Sequence, residues 1–560
     1  MTLSADGIDA RLEGHGGELA VAVARAHGVE RMFTLSGGHV FPLFDGAVRA
    51  VPPMPIIDVR HEQTAVFAAE ATAKLTRRPG LAVLTAGPGV TNGVSAVTTA
   101  YFNGSPILVL GGRAPSNRWG SGALQELDQP PLLAPVTKQA GTVHQISQLA
   151  GRVDEALRLA QLAHRGPVFL DIPMDQLYSR AEVLVSSITG PATTDREPDP
   201  ADLSDIAGLL GVAQRPVLVI GSDVWMDGAE EAALRLAESA GLPVIANGLG
   251  RGIIPAGHPL LVTRARAGAF GRADLVIVAG TPLDFRLGYG VFGSADVATR
   301  ARVVHLADTP DQLATHVTLA ASAAGDLSLV LDGIREAWER LTHRPSYADW
   351  TTVLRAEAVA AVAEDGVMLG ADCTPMHPGR IYGELLPRLA SDAIVIGDGG
   401  DFVSFAGRFV EPARPGSWLD PGPYGCLGTG LGYALAARLA NGSAQVVLLL
   451  GDGAAGFSLM DVDTLVRHRL PVVMIVGNNG VWGLEKHPMQ FLYGYDVAAD
   501  LQPATRYDDV VRALGGAGET VTDPDRLGAA LDRAFASDVP YLVNVITDPA
   551  IAYPRTTTGI

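Results

Sequence analysis

"VVLLLGDGAAGF", residues 446–457, sets five branched apolar residues directly before Gly-Asp-Gly. An apolar run of that length, stopped by glycine, reads as a strand buried on both faces, as in a parallel sheet covered by helices. Its Asp then lies at the strand's carboxyl end, where open α/β sheets bind ligands. "AIVIGDGGDF", residues 393–402, repeats the construction. Taken alone, either tripeptide is a tight turn whose Asp caps a helix. The next strand separates the two copies. Asn479, in "VGNNGVWG", follows Asp452 by 27 residues, after a helix-like segment and the strand-like "PVVMIV". A right-handed βαβ crossover sets neighbouring strand ends side by side, so Asp452 and Asn479 face one site. The same offset from Asp398 reaches Gly425, which has no side-chain oxygen. A carboxylate, an amide oxygen and a backbone carbonyl, completed by phosphate oxygens and water, suit Mg²⁺, and Ca²⁺ is open as well. The small residues after Asp452 let backbone N–H groups approach a diphosphate. The expectation is a metal-bound diphosphate cofactor.

The pattern extends over the whole chain. Strand-like runs alternate with helix-like ones, which predicts βαβ units and parallel sheets. With 560 residues, 48% hydrophobic and 18% charged, the chain is long enough for several cores. The fold expected is α/β, with three tandem Rossmann-like domains over 1–185, 200–345 and 365–548, and a tail over 549–560. "TGPATTDREPDPADLSD", residues 189–205, reads as a linker rich in Pro, Asp and Thr. The middle unit lacks a clean GxGxxG, a weak nucleotide signal.

A net charge of −18 without basic clusters argues against a nucleic-acid partner. Cys373 and Cys426 show no metal or disulfide spacing, which fits a reducing compartment, and both read as small core or site-wall residues. The first residues lack a signal-peptide layout and no apolar run spans a bilayer, so a cytoplasmic protein without membrane contact is expected.

The Gly-Asp-Gly, the 27-residue interval and the closing Asn-Asn together resemble the signature of the thiamine-diphosphate-dependent decarboxylase and synthase superfamily. That resemblance implies that Asp452, Asn479 and the carbonyl of Val481 hold Mg²⁺, with Gly451, Gly453, Ala454 and Ala455 against the diphosphate. "DVRHEQTAVF" matches the family's Arg-His-Glu-Gln pattern and makes Glu62 the carboxylate that activates the cofactor's aminopyrimidine. A Glu in a helix's first turn is otherwise an ordinary dipole-complementing residue. "PGPYGCLGTGLG" matches the stretch that bends the cofactor, with Leu427 as wedge and Gly425 as backbone contact. Gly399, Gly400 and Asp401 would line the cofactor or CoA channel. The family pairs subunits across its site, so a homodimer is the minimum active unit and a homotetramer is expected.

Three activities compete: acetolactate synthase, oxalyl-CoA decarboxylase and 2-hydroxyacyl-CoA lyase. Leu124-Gln125 stands where decarboxylases carry Tyr-Glu and the others Phe-Gln, which disfavours oxalyl-CoA. Leu124 leaves room for a branched substrate carbon, or is passive packing. "GVWGLEKHPMQF" lacks the Met-Val-x-Gln-Trp pattern of acetolactate synthases and resembles bacterial lyases acting on 2-hydroxyisobutyryl-CoA. Glu485 there is a candidate acid/base or a solvated loop carboxylate, and His39, in "LSGGHVF", is a candidate proton relay or a structural His. Gln125 joins them as a candidate catalytic residue. Arg266 matches an Arg that binds CoA in acyl-CoA members. Arg555, in the tail, matches a segment that closes over the substrate. ADP binding by the middle domain is an open alternative, with Pro282 in place of the usual Arg, and so is FAD. The reading implied is a 2-hydroxyacyl-CoA lyase releasing formyl-CoA, with acetolactate synthase as the alternative.

Overall fold

The computed structural model describes residues 11–185, 188–191, 196–293 and 300–554. Its first domain contains β1 (Arg11–His15), β2 (Met32–Thr34), β3 (Ile56–Asp58), β4 (Gly80–Leu84), β5 (Ile107–Arg113), β6 (Gln139–Thr142), β7 (Val168–Pro173) and β8 (Arg180–Leu184). Six of these form a parallel sheet in the order β3-β2-β4-β5-β7-β6, while β1 and β8 pair antiparallel and bring the domain's two ends together. The middle domain has β9 (Pro216–Ile220), β10 (Val244–Ala246), β11 (Leu275–Ala279), β12 (Arg302–Ala307) and β13 (Ala321–Ala324), ordered β10-β9-β11-β12-β13 and all parallel. The third has β14 (Ile394–Asp398), β15 (Trp418–Leu419), β16 (Val446–Gly451), β17 (Val473–Asn478), β18 (Ala517–Val521) and β19 (Tyr541–Ile546), ordered β15-β14-β16-β17-β19-β18. These too are parallel.

The quoted apolar runs are therefore central strands. β16 lies between β14 and β17, and every residue from Val446 to Leu450 is buried. Both faces of the third sheet are covered. The helix Thr429–Ala440 covers one face and packs against the first domain's helix Glu62–Thr76, while the helices Pro378–Leu385 and Pro524–Phe535 lie in the core on the other. Burial on both faces is what a continuous run of branched apolar residues demands.

Two expectations are corrected. The linker reading of 189–205 runs too long, because a helix begins at Pro200 with Asp199 accepting the Ala201 N–H. Asp before Pro is a helix-start signal, which the linker composition obscured. Cys373 is exposed, which removes the core option of the core-or-site-wall reading for it, and Cys426 is half-buried. Among the described residues, no helix is long and apolar enough to cross a membrane.

Candidate active site

Asp452 opens the helix Asp452–Ser458 directly after β16. Its buried carboxylate accepts N–H groups from Gly453 at 2.9 Å and from Gly480 at 2.6 Å, so the ends of β16 and β17 are tied together. Burial pushes the Asp452 carboxyl up to about 6, against those N–H groups, which favour its charged form. A cation here would meet that buried charge. The Tyr507 hydroxyl donates to the Asp452 carbonyl at 3.1 Å.

The paired asparagines have separate tasks. Asn478 is buried and donates to Thr505 O at 2.9 Å and to Asn544 Oδ1 at 3.1 Å. Asn479, half-buried one residue past the strand, accepts only the Val481 N–H at 3.1 Å among the described residues. Trp482 roofs the turn: a methyl added at Gly453 would come within 2.4 Å of its ring. Asp452, Asn479 and Val481 thus converge at adjoining strand ends, beside Gly451, Gly453, Ala454 and Ala455. This donor set fits a hard divalent cation and a diphosphate.

The first Gly-Asp-Gly does different work. Asp398 is fully buried, and its two carboxylate oxygens accept the N–H groups of Gly428 at 3.1 Å and Gly430 at 2.8 Å. It caps the helix Thr429–Ala440 from another strand and so fixes the loop carrying Gly425 and Leu427. Burial raises its carboxyl to about 7. Sequence reading assigned Asp398 no role, although helix capping was the ordinary alternative for this tripeptide. Leu427 is half-buried, while Gly425 has φ +67° and open space where a Cβ would stand. Gly399 packs against Gly451 and Gly400 against Leu484, while Asp401 accepts the Tyr553 N–H at 3.0 Å.

A second group gathers in the first domain. Glu62 is buried at the start of the helix Glu62–Thr76, where Asn92 Nδ2 donates to its Oε2 at 3.0 Å. Asn92 lies on the helix Pro88–Phe102, 30 residues on, and no spacing rule pointed to it. A Cβ at Gly89 would lie 2.7 Å from Thr85 Cγ2 and 3.7 Å from Glu62 Oε1, which places Thr85 close by. Thr85 Oγ1 in turn lies 3.3 Å from Nδ1 of buried His39. Burial lowers the His39 pKa and favours the neutral imidazole, opposed by the backbone at Leu124. Leu124 is 77% exposed, and Gln125, at φ +59°, packs against Gly87. Glu62, His39, Leu124 and Gln125 therefore form one neighbourhood.

Other expected residues stand apart. Glu485 is exposed in the first turn of the helix Gly483–Tyr493, and its carboxylate makes no hydrogen bond or ion pair among the described residues. Arg266 lies inside the middle domain, 4.8 Å over the Phe270 ring and donating to Arg286 O. Burial, reinforced by the Arg286 charge, lowers its guanidinium to about 10. Arg555 falls outside the described residues.

Comparison with known proteins decides the family. Residues 14–132 match the N-terminal TPP binding domain of thiamine pyrophosphate enzymes, 203–334 the central domain and 398–545 the C-terminal TPP binding domain. The chain belongs to the thiamine pyrophosphate enzymes. This thiamine pyrophosphate enzyme is 49% identical over 97% of both chains to the acetolactate synthase large subunit IlvG of Mycobacterium tuberculosis. It is 34% identical to 2-hydroxyacyl-CoA lyase 2 of Caenorhabditis elegans, over 96% of this chain and 90% of that one. The human 2-hydroxyacyl-CoA lyase 2 is also 34% identical, over 90% and 84%. Thiamine diphosphate is accordingly the cofactor of the family to which the two TPP binding domains belong.

Proposed function

We propose that this enzyme is a 2-hydroxyacyl-CoA lyase that reversibly cleaves the C1–C2 bond of a 2-hydroxyacyl-CoA, with 2-hydroxyisobutyryl-CoA as a candidate, to an aldehyde or ketone and formyl-CoA. The observation that carries this reading is Glu485. Its carboxylate, without a partner among the described residues, stands three residues beyond Trp482, which covers the Asp452 turn, on a helix rather than the expected loop and in a stretch without the acetolactate synthase pattern. Thiamine diphosphate, when bound, supplies the carbon nucleophile and holds the electrons of the broken bond. In this reading Asp452, Asn479 and the Val481 carbonyl hold Mg²⁺, and the Gly451–Ala455 turn binds the diphosphate. Gly425 and Leu427, fixed by Asp398, orient the cofactor, while Asn92 keeps Glu62 directed at the aminopyrimidine. His39 or Glu485 accepts the proton of the 2-hydroxyl as the C1–C2 bond breaks and returns it to the carbon that becomes the formyl group. Gln125 and Leu124 border the substrate, and Leu124 contacts the C2 substituents. Arg266 and Arg555 are assigned to the acyl-CoA.

The site is proposed to be completed by a second subunit. Glu62 itself makes no hydrogen bond to the Asp452 turn among the described residues of one chain, although its neighbour Gln63 donates from Nε2 to Phe457 O at 3.4 Å. Beside that turn, Phe457 and Met460 are exposed, as are the stacked rings of Phe102 and Tyr424. ADP finds no support: the cleft that Pro282 borders is walled by all three domains and holds about 70 Å³.

The second reading, an acetolactate synthase condensing two 2-ketoacids, is favoured by the names of the 49% identical relatives. The two are separated by incubating protein, thiamine diphosphate and Mg²⁺ with 2-hydroxyisobutyryl-CoA, lactyl-CoA or pyruvate and identifying products by mass. Formyl-CoA is expected from an acyl-CoA. Turnover of pyruvate alone would reject the lyase.

A further inference from the structure

Between the first and middle domains lies a cluster that the proposed reaction does not use. His164 precedes β7 in the first domain, and Asp223 and Asp308 follow β9 and β12 of the middle sheet. His164 Nδ1 lies 3.0 and 3.2 Å from the two oxygens of buried Asp308. One donor atom from each of the three residues falls within 4.8 Å of the others. Ligand bonds of about 2.1 Å place neighbouring donors roughly 3.0–3.4 Å apart and opposite donors roughly 4.2 Å apart. Donors that lie within 4.8 Å of one another reach that span by small side-chain rotations.

Two further observations point to a cation. Half-buried Asp223 lines the cleft, and its carboxylate has no hydrogen-bond partner among the described residues. Burial raises that carboxyl to about 7. The nearby cations are already engaged. Arg165 and Arg196 both pair with Asp227, at 2.6 and 3.1 Å, and Arg196 also reaches Asp326 at 3.3 Å. Lys138 donates to Leu162 O at 2.6 Å, and burial lowers its amine to about 8. Asp223 and Asp308 are thus two neighbouring carboxylates with one imidazole between them. The cleft beside them, about 70 Å³, has room for waters that would complete a coordination sphere.

We propose that His164, Asp223 and Asp308 hold a divalent transition-metal cation that fastens the first domain to the middle domain. One imidazole nitrogen and two carboxylates suit Mn²⁺ or Zn²⁺. This site is separate from the Asp452 turn and does not depend on which reaction the enzyme performs.

The test uses the full chain, stripped with a chelator, kept free of thiamine diphosphate and dialysed against Mn²⁺ or, separately, Zn²⁺. Bound metal is counted by mass spectrometry. In Asp452→Asn, which removes the other carboxylate turn, one ion per chain is expected for at least one of the two metals. With Asp223→Asn or His164→Gln added, binding should weaken at least about tenfold, as for lost support of a metal ligand. The metal should also raise the unfolding midpoint of Asp452→Asn but not of Asp452→Asn/Asp223→Asn. Asp223→Asn is close in shape and leaves the Asp308 pairing intact, so it keeps the test sound if His164→Gln fails to fold. No ion bound to Asp452→Asn, or binding unchanged by Asp223→Asn, overturns the proposal and leaves the cluster as a protonated ion-pair network.

Discussion

Asp398 and Asp452 share a tripeptide and a sheet position, and their different surroundings separate them. Asp452 faces a turn that opens beside Asn479, whereas Asp398 is sealed against two backbone N–H groups. Asp398→Ala would leave those donors unsatisfied, at a cost of about 1–3 kcal/mol, and free the Leu427 loop. A lower unfolding midpoint and a higher KM for thiamine diphosphate are expected, and an unchanged KM would detach Asp398 from the cofactor. Its pH dependence has a definite sign. The carboxyl titrates at about 7 when folded and at about 3.9 in an unfolded chain, so the folded state carries the extra proton between those values. Stability therefore falls as pH rises from about 4 to about 7. Asp398→Asn should lose less midpoint than wild type between pH about 5 and about 7.5, measured by thermal melts. At Glu62 the expectation is kinetic. Glu62→Gln keeps the Asn92 contact but no acidic proton, and kcat should fall by about 10²–10⁴ with folding intact. Retained turnover would remove the assigned role.

The helices Glu62–Thr76 and Thr429–Ala440 connect these residues to the scaffold. Their close approach depends on Gly432, where a Cβ would lie 2.7 Å from Phe67 Cβ and 3.0 Å from Thr64 O. Gly432→Val should force them apart, costing about 1–3 kcal/mol and raising the KM for thiamine diphosphate, because the Asp398-bound loop begins one of them. Chemical denaturation and cofactor titration measure both effects, and wild-type stability would mean that the helices separate freely. The same pair shows where sequence reading stops. Glu70 and Lys74, four residues apart, have the spacing of a solvated helix face. Both are buried instead, with Lys74 Nζ 2.9 Å from Glu70 and 2.9 Å from the Tyr433 hydroxyl, which donates to Glu70. Their partner lies more than 350 residues away, and nothing local announces it. The Asp452–Asn479 pairing was legible because a βαβ unit makes neighbours of successive strand ends. Asn92 beside Glu62 and Gly428 beside Asp398 were not, since the first depends on how two helices dock and the second on how a helix start meets a strand end.

At the scale of the molecule, three parallel sheets were predictable because strands buried on both faces advertise themselves as unbroken apolar runs. How the sheets combine is set by long-range contacts such as Asp461, which accepts the Arg60 N–H at 2.7 Å and the Thr64 hydroxyl at 2.6 Å. These, with Gln63 Nε2 donating to Phe457 O at 3.4 Å, link the first and third domains of one chain, while Glu62 itself bonds Asn92. If two subunits complete each site, Glu62 of one chain serves Asp452 of its partner. Glu62→Gln and Asp452→Asn chains, each inactive alone, would then complement each other. A mixed dimer contains one site with both defects and one site with neither. Random reassociation makes half the dimers mixed, so an equimolar mixture should recover roughly a quarter of wild-type activity. If each chain holds its own complete site, every site keeps a defect and mixing recovers nothing. The assay therefore reads the ownership of the two residues directly, whichever substrate the enzyme proves to cleave.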